Sequence, residues 1–247
     1  MGAVMRLFYC GVRQVFRDGM LALLLPAPFL MGAVLWFGLP LADSILVRET
    51  GFTLRPWFIL SDAFVMVMTA VMTGMIGAFL LLDERDEGIG LYYRITPMGG
   101  RAYLVARLGI PMIWAFLTSL IVIGFFALAM NNITVMLISA LLATFQGVIA
   151  CMLLAVMAGN KVEGLALGKI VNILVLGLPA AWFISPPYKY LLFFLPSFWM
   201  GEFIFRSTET GSLQALQALL PGLAGTLVSL VWMVVLTRAF LNKIRIT

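Results

Sequence analysis

The sequence predicts an all-α membrane protein of six transmembrane helices, and three observations predict it. Hydrophobic residues make up 63% of the chain, where soluble domains hold about 45–50%, and the mean hydropathy is +1.08. Several apolar runs reach the roughly 20 residues that a helix needs to cross a hydrocarbon core of about 30 Å. Lys and Arg sort by loop: twelve of the 16 fall on one side of the expected membrane and four on the other. That bias places the richer side, with both termini, in the cytoplasm. The lipid bilayer is therefore the first partner, and the net charge of +5 reads as topology and not as a nucleic-acid surface.

Residues 1–19 interleave Arg6, Arg13 and Arg17 with Val4, Leu7, Phe8, Val12, Val15 and Phe16 at helical spacing, which predicts an amphipathic helix on the membrane surface. The first span is expected over 20–41, followed by a polar loop holding Asp43, Arg48, Glu49 and Arg55. The second runs over 57–82, with Ser61 or Asp62 as an interfacial cap. An acid within a span also raises the reading of a substrate-facing carboxylate at Asp62.

Residues 83–103 begin the longest charged interruption. Asp83, Glu84, Asp86 and Glu87 precede Gly88, then come Leu91, Tyr92, Tyr93 and Ile95, Thr96-Pro97 and Gly99-Gly100. A charge at the centre of a bilayer costs about 2.5–3.5 kcal/mol even on the most lenient scale, so this segment projects into water. Gly88 lets the chain leave the second span in a conformation closed to other residues. The third span follows over 104–130, with Pro111 inside it, and Asn131-Asn132 turns the chain into the fourth, over 133–158. Gly159-Asn160 stops that helix. A short loop with Lys161, Glu163 and Lys169 leads to the fifth span, over 170–184 with a start nearer Gly164.

Residues 185–220 are too polar for a clean span (Lys189, Glu202, Arg206, Glu209) and too aromatic for an ordinary loop (Tyr188, Tyr190, Phe198, Trp199, Phe203). Short external re-entrant or interfacial helices fit the mixture, and Phe198, Trp199 and Phe203 are the candidate external gate. The sixth span is expected over 220–241.

No residue set reads as a catalytic or metal centre. Histidine is absent, and Cys10 and Cys151 stand alone, which removes the usual general base and the zinc spacings. Gly164-Leu-Ala-Leu-Gly168-Lys169 falls short of the phosphate-loop spacing and lacks its Ser/Thr, so the chain carries no cofactor and no ATP site of its own. Met68, Met72 and Met75 supply an adaptable apolar wall. With Gln146 and Asn172 they are the candidate substrate cavity.

On the residues Glu84-Arg85-Asp86-Glu87-Gly88, Leu91 and Thr96-Pro97, the chain resembles the permease subunits of ABC-2 type ATP-binding-cassette transporters. That family carries an E-x-x-x-G turn after its second span, then a coupling helix and a Ser/Thr-Pro. The resemblance extends to Arg17-Asp18-Gly19 at the end of the N-terminal helix and to Asn160-Lys161-Val162-Glu163-Gly164. One departure is Gly90, where relatives carry larger helix formers. The resemblance implies an exporter subunit working by alternating access, in which separate cytoplasmic subunits, two copies or two paralogues, bind ATP and Mg. Glu84, Glu87, Gly88, Leu91, Tyr92 and Pro97 would meet those subunits. A second permease subunit, identical or paralogous, would complete the cavity through the first and fifth spans, where Gly32, Gly38, Gly168 and Gly177 allow close approach. Scarce charge in the spans favours a hydrophobic or amphipathic cargo: a drug, an antimicrobial peptide or a lipid-like molecule. The competing readings are a non-transporting scaffold or sensor and an ion-driven carrier, and the expected location is the inner (plasma) membrane.

Overall fold

The chain is built around two helices that cross backbone to backbone. The computed structural model describes residues 13–88, 100–209 and 216–246; Leu91, Tyr92 and Pro97, with residues 1–12 of the N-terminal helix, lie outside them. Helical turns at 13–17 bend at Asp18, whose carboxylate accepts the N–H groups of Met20 (2.9 Å) and Leu21 (3.3 Å) and so caps α1, Gly19–Leu24. Then come α2 (Ala27–Thr50), α3 (Phe58–Asp86), α4 (Gly100–Phe126), α5 (Ile133–Met157), α6 (Lys161–Val171) and α7 (Gly177–Phe183), the last two joined by a 3-10 turn at Asn172–Val175. After a 3-10 turn at Tyr188–Leu192, α8 (Pro196–Glu209) and α9 (Leu216–Ile246) complete the fold.

α3 and α5 form the centre, with most of their side chains buried. A Cβ added to Gly74 would collide with the carbonyl of Gly147, and one added to Gly147 with the carbonyl of Ala70. In lipid the hydrophobic effect does not drive helices together, so small residues that admit close van der Waals contact carry the association. Three buried threonines in these helices satisfy themselves locally: Thr69 donates to the Val65 carbonyl (2.7 Å), Thr73 to the Thr69 carbonyl (2.8 Å) and Thr144 to the Ala140 carbonyl (2.7 Å). An unsatisfied hydroxyl there would cost several kcal/mol, on the order of 2–7. α4 packs on α3 with the Pro111 ring beside Gly77 and Cys151, and α8 and α9 close over α5.

Among the described residues, five stretches are long and apolar enough to cross a membrane: Gly19–Thr50, Arg55–Asp86, Ile133–Met157, Lys161–Phe183 and Leu219–Asn242. The expected third span corresponds to α4, a 27-residue helix in which Pro111–Phe126 forms an apolar stretch among the described residues.

Two expected loops are helical. The first span does not end at Leu41, because α2 continues through Asp43 and Arg48 and stops only where Gly51 takes φ 72°. Asp43 makes this possible: it accepts from Thr53 Oγ1 (3.0 Å), the Leu54 N–H (2.6 Å) and Arg55 Nε (3.4 Å), so the following loop folds back over the helix end and the acid is neutralised. Likewise Lys161, Glu163 and Lys169 belong to α6 and not to a loop. Asn160 accepts from the Glu163 N–H (2.8 Å) while Glu163 accepts from the Gly159 N–H (2.6 Å), a reciprocal cap that starts the helix at Lys161.

Candidate functional site

The last turn of α3 is where the charged residues meet. Arg85 reaches across the bundle and donates to the carbonyls of Ala155 (2.9 Å) and Ala158 (2.8 Å), which the end of α5 leaves without intrahelical partners. Its guanidinium also lies 5.8 Å from the centre of the Phe240 ring in α9. Asp86 accepts the Lys161 N–H at 3.1 Å. The Lys161 ammonium donates to Asp83 (3.0 Å) and to Asp18. One turn of α3 thereby touches the N-terminal segment, the end of α5, the start of α6 and α9. The ammonium beside Asp18 holds its carboxyl below the usual aspartate value, outweighing the opposing effect of burial.

Of the residues expected to meet an ATPase, Glu84 is buried, 4% exposed, and Glu87 is exposed. Gly88 has φ 69°, with none of the described residues within 4 Å of where a Cβ would stand. A side chain there would be opposed by the backbone conformation, by about 1–2 kcal/mol.

The candidate cavity residues fall into three places. Met68, Met72 and Met75 lie in one line with Phe64 along α3, all half-buried, while Val67, Ala70, Val71 and Gly74 around them are buried. The four- and three-residue steps put them on one helix face. Gln146 is elsewhere, 1% exposed between α5 and α8, with its Nε2 3.4 Å from Met200 Sδ and its Oε1 lacking a partner among the described residues. Asn172 is exposed at the junction of α6 and its 3-10 turn. In the candidate gate, Phe198 and Phe203 are wholly buried, and the Trp199 indole donates to the Phe193 carbonyl at 2.6 Å.

Three expected roles are corrected. Asp62 accepts the N–H groups of Leu128, Ala129 and Met130 at 2.8–3.1 Å; it clamps the α4–α5 connection, and its oxygens face that backbone. Ser61, its alternative as a cap, makes no hydrogen bond among the described residues. Of the glycines assigned to a subunit contact, Gly32 packs on Phe126, Gly168 on Met75 and Gly177 on Phe198, all within the chain, and only Gly38 faces open space. Sequence reasoning missed a buried network in which Glu202 receives Lys189 (2.8 Å) and Arg206 (2.7 Å). The four-residue spacing of Glu202 and Arg206 was the available signal. It also missed a cleft of ≈ 740 Å³ between Asp43, Arg55, Phe58 and Leu128.

The fold and these contacts define a polytopic α-helical membrane protein. Residues 11–237 match the family described as "Fluoroquinolones export permease protein Rv2686c-like", and the chain belongs to that family. It is similar to the fluoroquinolones export permease proteins MT2760 and Rv2686c of Mycobacterium tuberculosis (strains CDC 1551 / Oshkosh and ATCC 25618 / H37Rv). Each is 27% identical over 207 residues, covering 81% of this chain and 81% of the relative. These likenesses agree with the resemblance to ABC-2 permease subunits and make the chain a transporter permease. No solved structure matches it.

Proposed function

We propose that this chain is the membrane subunit of an ATP-driven exporter that carries amphipathic drugs, fluoroquinolones among them, out of the cytoplasm across the inner membrane. α4 serves as the sixth span, both termini and Gly88 face the cytoplasm, and a second permease subunit, identical or paralogous, completes the cargo path. ATP and Mg belong to two cytoplasmic ATP-binding subunits that dock on Glu87, Gly88, Leu91, Tyr92 and Pro97, beside the buried Glu84. The observation that carries this reading is the bonding of the acidic turn. A solvated charge run has no need of long-range partners, yet Asp83, Arg85 and Asp86 bond to residues 70–78 positions away, so force applied at the turn reaches several helices.

The names of the two mycobacterial relatives supply the cargo. A fluoroquinolone is a flat aromatic molecule with a carboxylate and an amine, and the half-buried Phe64–Met75 line offers it polarisable, adaptable contact. The reading is tested with inside-out vesicles containing this chain and its ATP-binding partner. Fluoroquinolone uptake should require ATP and be lost when the partner's ATPase is inactivated; uptake driven by an ion gradient without ATP would make the chain a carrier instead.

A further inference from the structure

The Lys161 ammonium sits between two carboxylates that belong to different parts of the chain, Asp83 at the end of α3 and Asp18 before α1, while its own backbone N–H is held by Asp86. Its side chain is 23% exposed, and those of Asp18 and Asp83 are 23% and 16% exposed, so the three charges are screened less than at an open surface. Lys161 is also the first residue of α6, which leads through Asn172–Val175 into α7. We propose that Lys161 is the positioning residue that carries displacement of the acidic turn to two elements at once, the N-terminal segment and the Lys161–Phe183 span. This rests on the ATP-driven reading above.

Charge arithmetic gives the node a direction. With Lys161 in place, one cation joins two anions; without it, Asp18 and Asp83 face each other as like charges and separate. Removal therefore converts an attachment into a repulsion. Arg85 meanwhile still holds the turn to the end of α5, so the bundle stays assembled while the path to α1 and α6 opens.

The test uses the complex of this chain with its ATP-binding subunits. In Lys161→Met, cargo moved per ATP hydrolysed should fall about fivefold or more, with hydrolysis and co-purification retained. Lys161→Arg should restore coupling, and Lys161→Met combined with Asp18→Asn and Asp83→Asn should recover part of it by removing the repulsion. Amide exchange in residues 13–24 should quicken in Lys161→Met. Unchanged transport per ATP in Lys161→Met overturns the proposal, as does equal loss in the Arg variant or loss of hydrolysis in step with transport. A parent complex that transports without ATP hydrolysis refutes the ATP-driven reading itself, a result separate from any Lys161 variant.

Discussion

Gly74 and Gly147 meet where α3 crosses α5, so closely that neither position has room for a Cβ. The obstacle is a carbonyl oxygen and not a flexible side-chain end, so it cannot be relieved by a rotamer change. Gly147→Val should lose at least the roughly 1–3 kcal/mol typical of overpacking, read as a lower thermal midpoint in detergent. Gly38→Ala, with open space at its Cβ position, should leave the midpoint near that of the parent.

Asp62 separates a structural acid from a proton-carrying one. Asp62→Ala strips three N–H groups of their acceptor; Met130 is buried while Leu128 and Ala129 are half-buried, so the loss should be at least the roughly 1–3 kcal/mol of one orphaned buried donor. Asp62→Asn, which keeps an acceptor oxygen, should retain transport. Transport abolished in Asp62→Asn with the fold intact would show the carboxylate acting in the cycle.

Some of this was legible in advance. The apolar runs located α3, α5 and α9, Asn131-Asn132 and Gly159-Asn160 marked the breaks on either side of α5, and Gly88 stands where a left-handed turn was expected; that Asn132 and Asn160 also cap the helices that follow them was not read. Asp43 and Lys161 misled because a charged residue in a local window reads as loop. Their neutralising partners lie 10–12 residues away for Asp43 and 78 and 143 for Lys161, beyond any helical periodicity. The glycines show the same limit: spacing identifies small residues but cannot say whether Gly32 meets its own chain or another.

At Asp18 the folded carboxyl has a value depressed below 3.8, chiefly by Lys161. Its contribution to stability is fully present above that ordinary value and is lost as pH falls through the lower folded one. The thermal midpoint of the parent should therefore exceed that of Asp18→Asn at neutral pH, and the gap should close below pH 3.8.

Gly88→Val should insert into the membrane normally yet impair transport, because φ 69° imposes backbone strain of about 1–2 kcal/mol on any side chain there. Unaltered transport and unaltered partner binding in this variant would remove the turn from the docking surface.

The most direct measurement of the account is cross-linking from position 87. Glu87 is exposed beside Gly88, so Glu87→Cys, in a complex with both native cysteines replaced, should be labelled from the cytoplasmic side and cross-link to the ATP-binding subunit, with a yield that changes between ATP-bound and nucleotide-free states. Labelling from the outside only, or a complex that hydrolyses ATP and transports while position 87 never approaches the ATPase, would contradict it.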